Sequence, residues 1–167
     1  MDDIDRAMVR LLHANGRLSQ EQLAREVHLS RPAVHERIRR LEEEGVIRGY
    51  KAVLDWSALG MPVVAFVWVR TGKGPCGVTS QAIMQLQSPT AFVEECHRVA
   101  GEWCMMLKTR SASPLALQDL LDQIRDLSGV EATMTTVALS TLGEDYTLQP
   151  SHRSAENGHL SLSRQAG

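Results

Sequence analysis

Leu29-Ser30-Arg31-Pro32-Ala33-Val34-His35-Glu36-Arg37-Ile38-Arg39-Arg40-Leu41, followed by Glu42-Glu43-Glu44-Gly45, is the stretch whose reading decides the fold of this chain. Ser30 suits an N-cap, because its hydroxyl can accept from an otherwise unpaired amide of a first helical turn. Pro32 falls within that turn, where a missing N–H costs nothing. Val34, Ile38 and Leu41 recur at i, i+4 and i+7 and form one apolar stripe. Gly45 is the natural residue for a helix stop. The side opposite the stripe carries Pro32, His35, Glu36, Arg39 and Arg40, with Arg31 and Arg37 flanking. The spacing predicts a helix that buries one edge and presents a guanidinium-rich edge to a polyanion.

The segments before it give this helix a context. Asp2 to Ala14 reads as a helix with Ile4, Ala7, Met8, Leu11 and Leu12 on one face. Ser19-Gln20-Glu21-Gln22 is a capping-box pattern opening a short helix that buries Leu23, Ala24 and Val27. His28-Leu29 is a tight connection to Ser30. Three short helices, the last two joined by a brief turn, are a helix-turn-helix pattern, and its expected partner is double-stranded DNA. On that reading Arg31, Pro32, His35 and Glu36, with Ser30 at the cap, lie where a recognition helix meets base edges. Arg39 and Arg40 suit phosphates. Arg37 has two readings, a DNA contact or a partner within the helical unit. Glu42, Glu43 and Glu44 either point away from DNA or pair with Arg39 and Arg40 in the free protein. A bare three-helix packing motif is the bland alternative.

Composition sets limits on this. The 167 residues carry a net charge of −2 with a pI near 6.3, so any positive field for DNA must be local. The three cysteines, Cys76, Cys96 and Cys104, form no framework spacing, and reduced thiols in the cytoplasm are expected. The start, Met1-Asp2-Asp3, does not resemble a signal peptide. The longest apolar run, Met61 to Val69, is too short to span a membrane. Cys96 and Cys104 flank a turn with His97 adjacent, but alternating strand faces do not converge on a tetrahedral metal site. No nucleophile elbow, phosphate loop or dinucleotide fingerprint occurs. Neither enzymatic activity nor a cofactor is expected.

The second half changes character. Val46 to Leu54 reads as a strand or wing, and residues 51–60 as a linker. Met61 to Thr71 is an almost uninterrupted β-branched and aromatic run. Gly72 to Gly77 is a loop, and Val78, Ala82, Ile83 and Leu86 mark a helix. Phe92 to Val99 and Trp103 to Thr109 are strands about a turn at Gly101. Ser113-Pro114 opens a helix with Leu117, Leu120, Leu121, Ile124 and Leu127 on one side. Val130 to Leu142 is the last strand. The order β-α-β-β-α-β is the ferredoxin-like split pattern. The chain is therefore an α+β protein: a winged helix-turn-helix unit in residues 1–50, then the linker, then a ferredoxin-like unit in 61–145, and a polar tail in 146–167 expected to be mobile. Both faces of the first strand are apolar, with Val63, Ala65, Val67 and Val69 on one and Val64, Phe66 and Trp68 on the other. Helices cover one face of such a sheet, so a second copy of the chain is expected on the other. The alternative cover is the hairpin or the tail folding back.

Taken together, these residues resemble the Lrp/AsnC ("feast/famine") family of transcriptional regulators. The resemblance is carried by Asp3-Ile4-Asp5-Arg6, Gly16-Arg17-Leu18-Ser19, and the run from Val34 to Glu42 with Gly45-Val46-Ile47-Arg48-Gly49-Tyr50. In the second half Leu59-Gly60, Cys96-His97-Arg98-Val99-Ala100-Gly101 and Gly129-Val130 carry it. It implies dimers that assemble into tetramers or octamers and an amino-acid effector in clefts between dimers. It places that effector at Gly101, Glu102, Trp103 and Cys104, with Thr133 and Thr135 as weaker candidates. Cys104 departs from the family, which usually has an acidic residue there, so a different ligand or ligand-independent DNA architecture are alternatives. Some proteins of similar architecture decarboxylate siroheme, which would need His and Arg groups around a tetrapyrrole; His97 is the one ordered histidine expected in this half.

Overall fold

The structure is a computed structural model that describes residues 1–72 and 76–141. It falls into two compact units, Met1–Val53 and a second beginning at Leu54. The tail at 146–167, and Lys73 to Pro75 of the expected loop, lie outside the described residues.

The first unit holds three helices, α1 (Asp3–Ala14), α2 (Gln20–Glu26) and α3 (Arg31–Glu43). Each starts at a capping side chain. Asp2 caps α1 and Ser30 caps α3, while Ser19 accepts from the Gln22 amide at 3.2 Å and the Gln22 side chain returns to the Ser19 amide at 2.8 Å. Met8, Leu23, Ala24, Val34 and Ile38 form the core, with Ile4, Leu11, Leu12 and Val27 packed around it. The ends of α2 and α3 are also built alike. The Val46 and Gly45 amides return to the Leu41 and Glu42 carbonyls at 2.9 and 3.0 Å, with Gly45 at φ +70°. This is the Schellman stop, in which one residue past the helix turns left-handed. Helix α2 ends the same way, through Leu29 to Ala24 (2.9 Å) and His28 to Arg25 (3.3 Å), but a histidine at φ 54° occupies the left-handed position.

Val46 to Leu54, expected as a strand or wing, forms no strand. Alternation there is broken by Gly49 at φ +144°, and the first unit has no strand among the described residues to pair with it. Instead Tyr50 returns to α3 and donates to Glu42 at 3.1 Å.

The second unit is an antiparallel sheet of β1 (Val63–Thr71), β2 (Ala91–Arg98), β3 (Met105–Ser111) and β4 (Val130–Ala138) in the order β2-β3-β1-β4. Helices α4 (Cys76–Met84) and α5 (Pro114–Arg125) lie on one face, as the split pattern predicts. Ala65, Val67 and Val69 meet Met105 and Leu107 and, from the helices, Ile83, Leu117, Leu120, Leu121 and Ile124. Helix α4 differs in register from the expected one: it starts at Cys76 and buries Thr79 and Ile83, leaving Val78 68% exposed. A threonine can seal a helix face against a glycine, and Gly129 lies against the Thr79 hydroxyl. Strand β3 begins at Met105, so Trp103 and Cys104 belong to the turn before it. Trp56 packs on Phe92 with ring centroids 5.2 Å apart, which attaches this part of the expected linker to the sheet.

Candidate nucleic-acid interface and effector turn

Helix α3 puts Arg31, Pro32, His35, Glu36, Arg39 and Arg40 on its exposed side, while Val34, Ile38 and Leu41 are buried. Ser30 is consumed as the N-cap, accepting from the Ala33 amide. Arg31 has no ion pair among the described residues. His35 Nδ1 lies 3.1 Å from the Gln20 side-chain amide, joining the two helices of the motif across their turn. Arg39 is held between Glu36 at 2.5 Å and Glu43 at 2.6 Å. The Arg39 hydrogen bond and charge hold the Glu36 carboxyl below its ordinary range. Arg40 lies 4.0 Å from Glu44. Pairing of the acidic run with Arg39 and Arg40, one of the two sequence readings, is what the free protein contains.

The two readings of Arg37 separate clearly. Its guanidinium donates to Asp2 at 2.6 Å and to Asp5 at 2.7 Å. Arg40 donates to both oxygens of Asp5, at 3.0 and 2.8 Å. The side chain of Asp5 is 1% exposed, so one enclosed carboxylate holds two of the arginines expected to face DNA. Burial pushes the Asp5 pKa up, but the Asp2 amide, Arg37 and Arg40 together outweigh it and leave it below the usual carboxylate range. Asp2, hydrogen-bonded by the Asp5 amide and by Arg37, is lowered to about 2. Sequence periodicity missed Asp5 because it is charged: at i−3 from Met8 and i−7 from Leu12 it lies at the border of the apolar face of α1 and is buried there. Its visible signal was the pair Asp2 and Asp5, a reciprocal capping box, opposite Arg37 and Arg40 at i, i+3.

In the second unit the structure divides the expected effector residues. Gly101, at φ +129°, turns the chain between β2 and β3. Glu102 and Trp103 face Arg70 on the sheet face without helices: Arg70 lies 3.3 Å from Glu102, 5.8 Å from the Trp103 ring centroid and 3.8 Å from Glu131. Cys104 goes to the helix-covered face, where its amide donates to Val69 at 2.9 Å. Thr133 and Thr135 pair with Val69 and Val67 on that same helix-covered face. Arg125 donates to Thr133 at 3.2 Å, and the enclosed Thr135 hydroxyl has no hydrogen-bond partner among the described residues. Arg70 is the polar group that sequence reading left out of this set. A cavity of about 620 Å³ lies beside the turn, lined by Cys76, Ser80, Gln81, Met84, Cys96 and Arg98. His97 lies outside it, 2.9 Å from Glu95 on an exposed strand end.

Comparison with known proteins agrees with this architecture. The description "Winged helix-turn-helix DNA-binding" matches residues 1–48, and "Lrp/AsnC ligand binding domain" matches residues 64–148. The HTH-type transcriptional regulator LrpA of Mycobacterium tuberculosis is 41% identical over 87% of this chain and 94% of its own. The leucine-responsive regulatory protein of Escherichia coli is 34% identical over 89% and 90%. Among solved structures, a feast or famine regulatory protein from M. tuberculosis complexed with L-methionine superposes with a TM-score of 0.77 at 40% identity, covering 86% of this chain and 95% of that one. LrpC of B. subtilis superposes at 0.73 with 31% identity, over 86% and 97%. A helix-turn-helix unit and a βαββαβ unit in one chain define a DNA-binding transcriptional regulator of two parts. The chain belongs to the Lrp/AsnC family.

Proposed function

We propose that this regulator reads DNA through the exposed edge of α3 and that a small metabolite of the amino-acid class, bound at the Gly101–Cys104 turn, sets how it does so. The observation that carries the DNA reading is the division of labour on α3. Arg37 and Arg40 are tied to Asp5, while Arg31, His35 and Arg39 stand at the exposed edge. Arg31, Pro32, His35 and Glu36 take the base edges. Arg39 takes phosphate, exchanging Glu36 and Glu43 for it. Exposed ion pairs of this kind are worth at most about 1 kcal/mol, so phosphate displaces them readily. Arg37 acts within the fold, and Arg40 contacts phosphate only with the part of its guanidinium that Asp5 leaves free.

The effector reading draws on the turn and on the methionine-bound relative. Arg70, with Glu102 beside it, offers complementary charges for a zwitterion, and Trp103 an apolar wall. Cys104 takes no ligand carboxylate or ammonium in this reading. Thr133 and Thr135 shape the neighbouring sheet. Two copies pair through the open sheet face of Phe66, Trp68, Met106 and Met134, and dimers assemble further. The protein acts in the cytoplasm without catalysing a reaction. His97, held by Glu95 outside the cavity lined by Cys76 and Cys96, supports the absence of catalysis over tetrapyrrole chemistry.

The test is a DNA-binding series across salt, using the gene's own upstream region and an unrelated duplex. Arg39→Ala is expected to weaken both and to lower the slope of log K against log salt by about 0.9. Loss on the specific site with nonspecific affinity intact would overturn the phosphate role. A thermal-shift screen of amino acids identifies the effector through a Tm that rises with concentration.

A further inference from the structure

Thr71, the last residue of β1, is a meeting point for two sulfurs that are 28 positions apart in sequence. Its hydroxyl lies 3.4 Å from Cys104 Sγ and 3.4 Å from Cys76 Sγ, and its amide donates to Cys104 Sγ at 3.5 Å. A hydroxyl has one proton. With that proton donated to Cys104, its lone pairs accept from the Cys76 thiol, which makes a chain from Cys76 through Thr71 to Cys104. The two sulfurs therefore lie within twice the hydroxyl distance of each other, and disulfide formation requires that gap to close to the bond length of about 2.05 Å. Cys76 opens α4 and lines the cavity beside the turn; Cys104 ends the turn itself.

We propose that Cys76 and Cys104 form a peroxide-oxidisable thiol pair, a modification site that closes into an intrachain disulfide and ties the effector turn to α4. The Cys104 thiolate attacks one oxygen of hydrogen peroxide, the O–O bond breaks, and a sulfenic acid and hydroxide form. Cys76 then attacks the Cys104 sulfur and displaces the hydroxyl, which leaves as water with the Cys76 proton. The sum is two thiols and one hydrogen peroxide giving one disulfide and two waters. Thr71, through its hydroxyl and amide, and further the Cys76 thiol and Arg98, pull the Cys104 pKa below that of an ordinary thiol against the opposing effect of burial. Burial alone raises that of Cys96. The thiolate, not the thiol, is the nucleophile, so the first oxidation is directed to Cys104 and away from Cys96. Cys104 is partly exposed, so a small oxidant can reach it, and the cavity opens onto its partner Cys76. Disulfides of intracellular regulators are characteristically of this transient, sensing kind. The inference deepens the effector-turn reading by adding a redox input to the same turn, and only that consequence rests on that reading.

The full chain is reduced, freed of reductant, treated with hydrogen peroxide, alkylated under denaturing conditions and mapped by peptide mass spectrometry. The expected product is a Cys76–Cys104 linked peptide within one chain, with Cys96 alkylated and the link lost on reduction. In Cys76→Ser, where the second step is blocked, dimedone is expected to label residue Cys104; in Cys104→Ser neither link nor label forms at Cys76. Alkylation of all three thiols in the treated wild type, a link to Cys96, or a link between chains would each overturn the proposal. The mapping needs no DNA or effector. Failure of reduced protein to bind any duplex would defeat the functional reading while leaving the thiol chemistry standing, and the converse holds equally.

Discussion

At Asp5 a carboxylate with 1% of its side chain exposed meets two guanidinia that α3 supplies from successive turns. Removing one partner of such a cluster strands the others, and the loss exceeds the net worth of the pairs. Asp5→Asn is expected to destabilise the chain by about 3 kcal/mol, read by chemical denaturation. Asp2 carries a pH prediction. Its folded pKa of about 2 lies below the model-compound value of 3.8, so its contribution is complete above pH 3.8 and fades as pH falls toward 2. Asp5, lowered as well, acts in the same direction. Acid titration of wild type should show stability falling through that window, and Asp5→Asn should show a smaller fall. His28 makes a separate prediction. Its left-handed φ of 54° is costly for a residue with a Cβ, and its side chain is exposed. His28→Gly is expected to stabilise by about 0.5–1 kcal/mol, visible as a higher Tm. In the sequence Asp5 has no role of its own beyond the Asp3-Ile4-Asp5-Arg6 run, and His28 reads as part of a tight connection.

At the scale of elements, periodicity and caps located every helix and strand of the described residues except for their ends. Helix α3 was legible because its cap, stripe and stop agree, and the stop is present in full as paired amides to Leu41 and Glu42. Helix α4 was the weak case. Its apolar pattern favoured Val78, whereas packing chose Thr79 and Ile83, since a small polar residue fits where Gly129 approaches. The segment after α3 is a different case: it matches a winged helix-turn-helix by family, but with Gly45 and Gly49 at positive φ it runs as irregular chain and not as the expected strand. The Gly101 turn was placed correctly, but alternation could not show that Trp103 and Cys104 leave on opposite sides of the sheet. That divergence is set by the Cys104 amide bonding to Val69 and by Arg70 reaching Glu102.

For the whole molecule, the proposed pairing of two copies rests on the sheet face without helices. Phe66, Trp68 and Met106 are half-buried there and Met134 is 43% exposed, while Lys108 and Arg110 hold Glu94 and Glu95 along one side. An apolar centre with a charged border is what a self-complementary interface requires. Trp68→Glu is expected to convert the assembly to monomers in analytical ultracentrifugation while the helix-side core keeps each chain folded. An unchanged sedimentation coefficient would defeat the sheet-face dimer. The sequence by itself determined the two-part plan, the three helices and their buried stripes, the β-α-β-β-α-β order and the basic edge of α3, because these follow from local periodicity and capping chemistry. Only the tertiary structure decided which arginines are available, which face each turn residue takes and which thiols meet. Those outcomes depend on groups brought together across tens of residues. Arg37 and Arg40 have no local reason to meet Asp5, nor Cys76 and Cys104 to share the Thr71 hydroxyl, until the helices dock and the sheet forms.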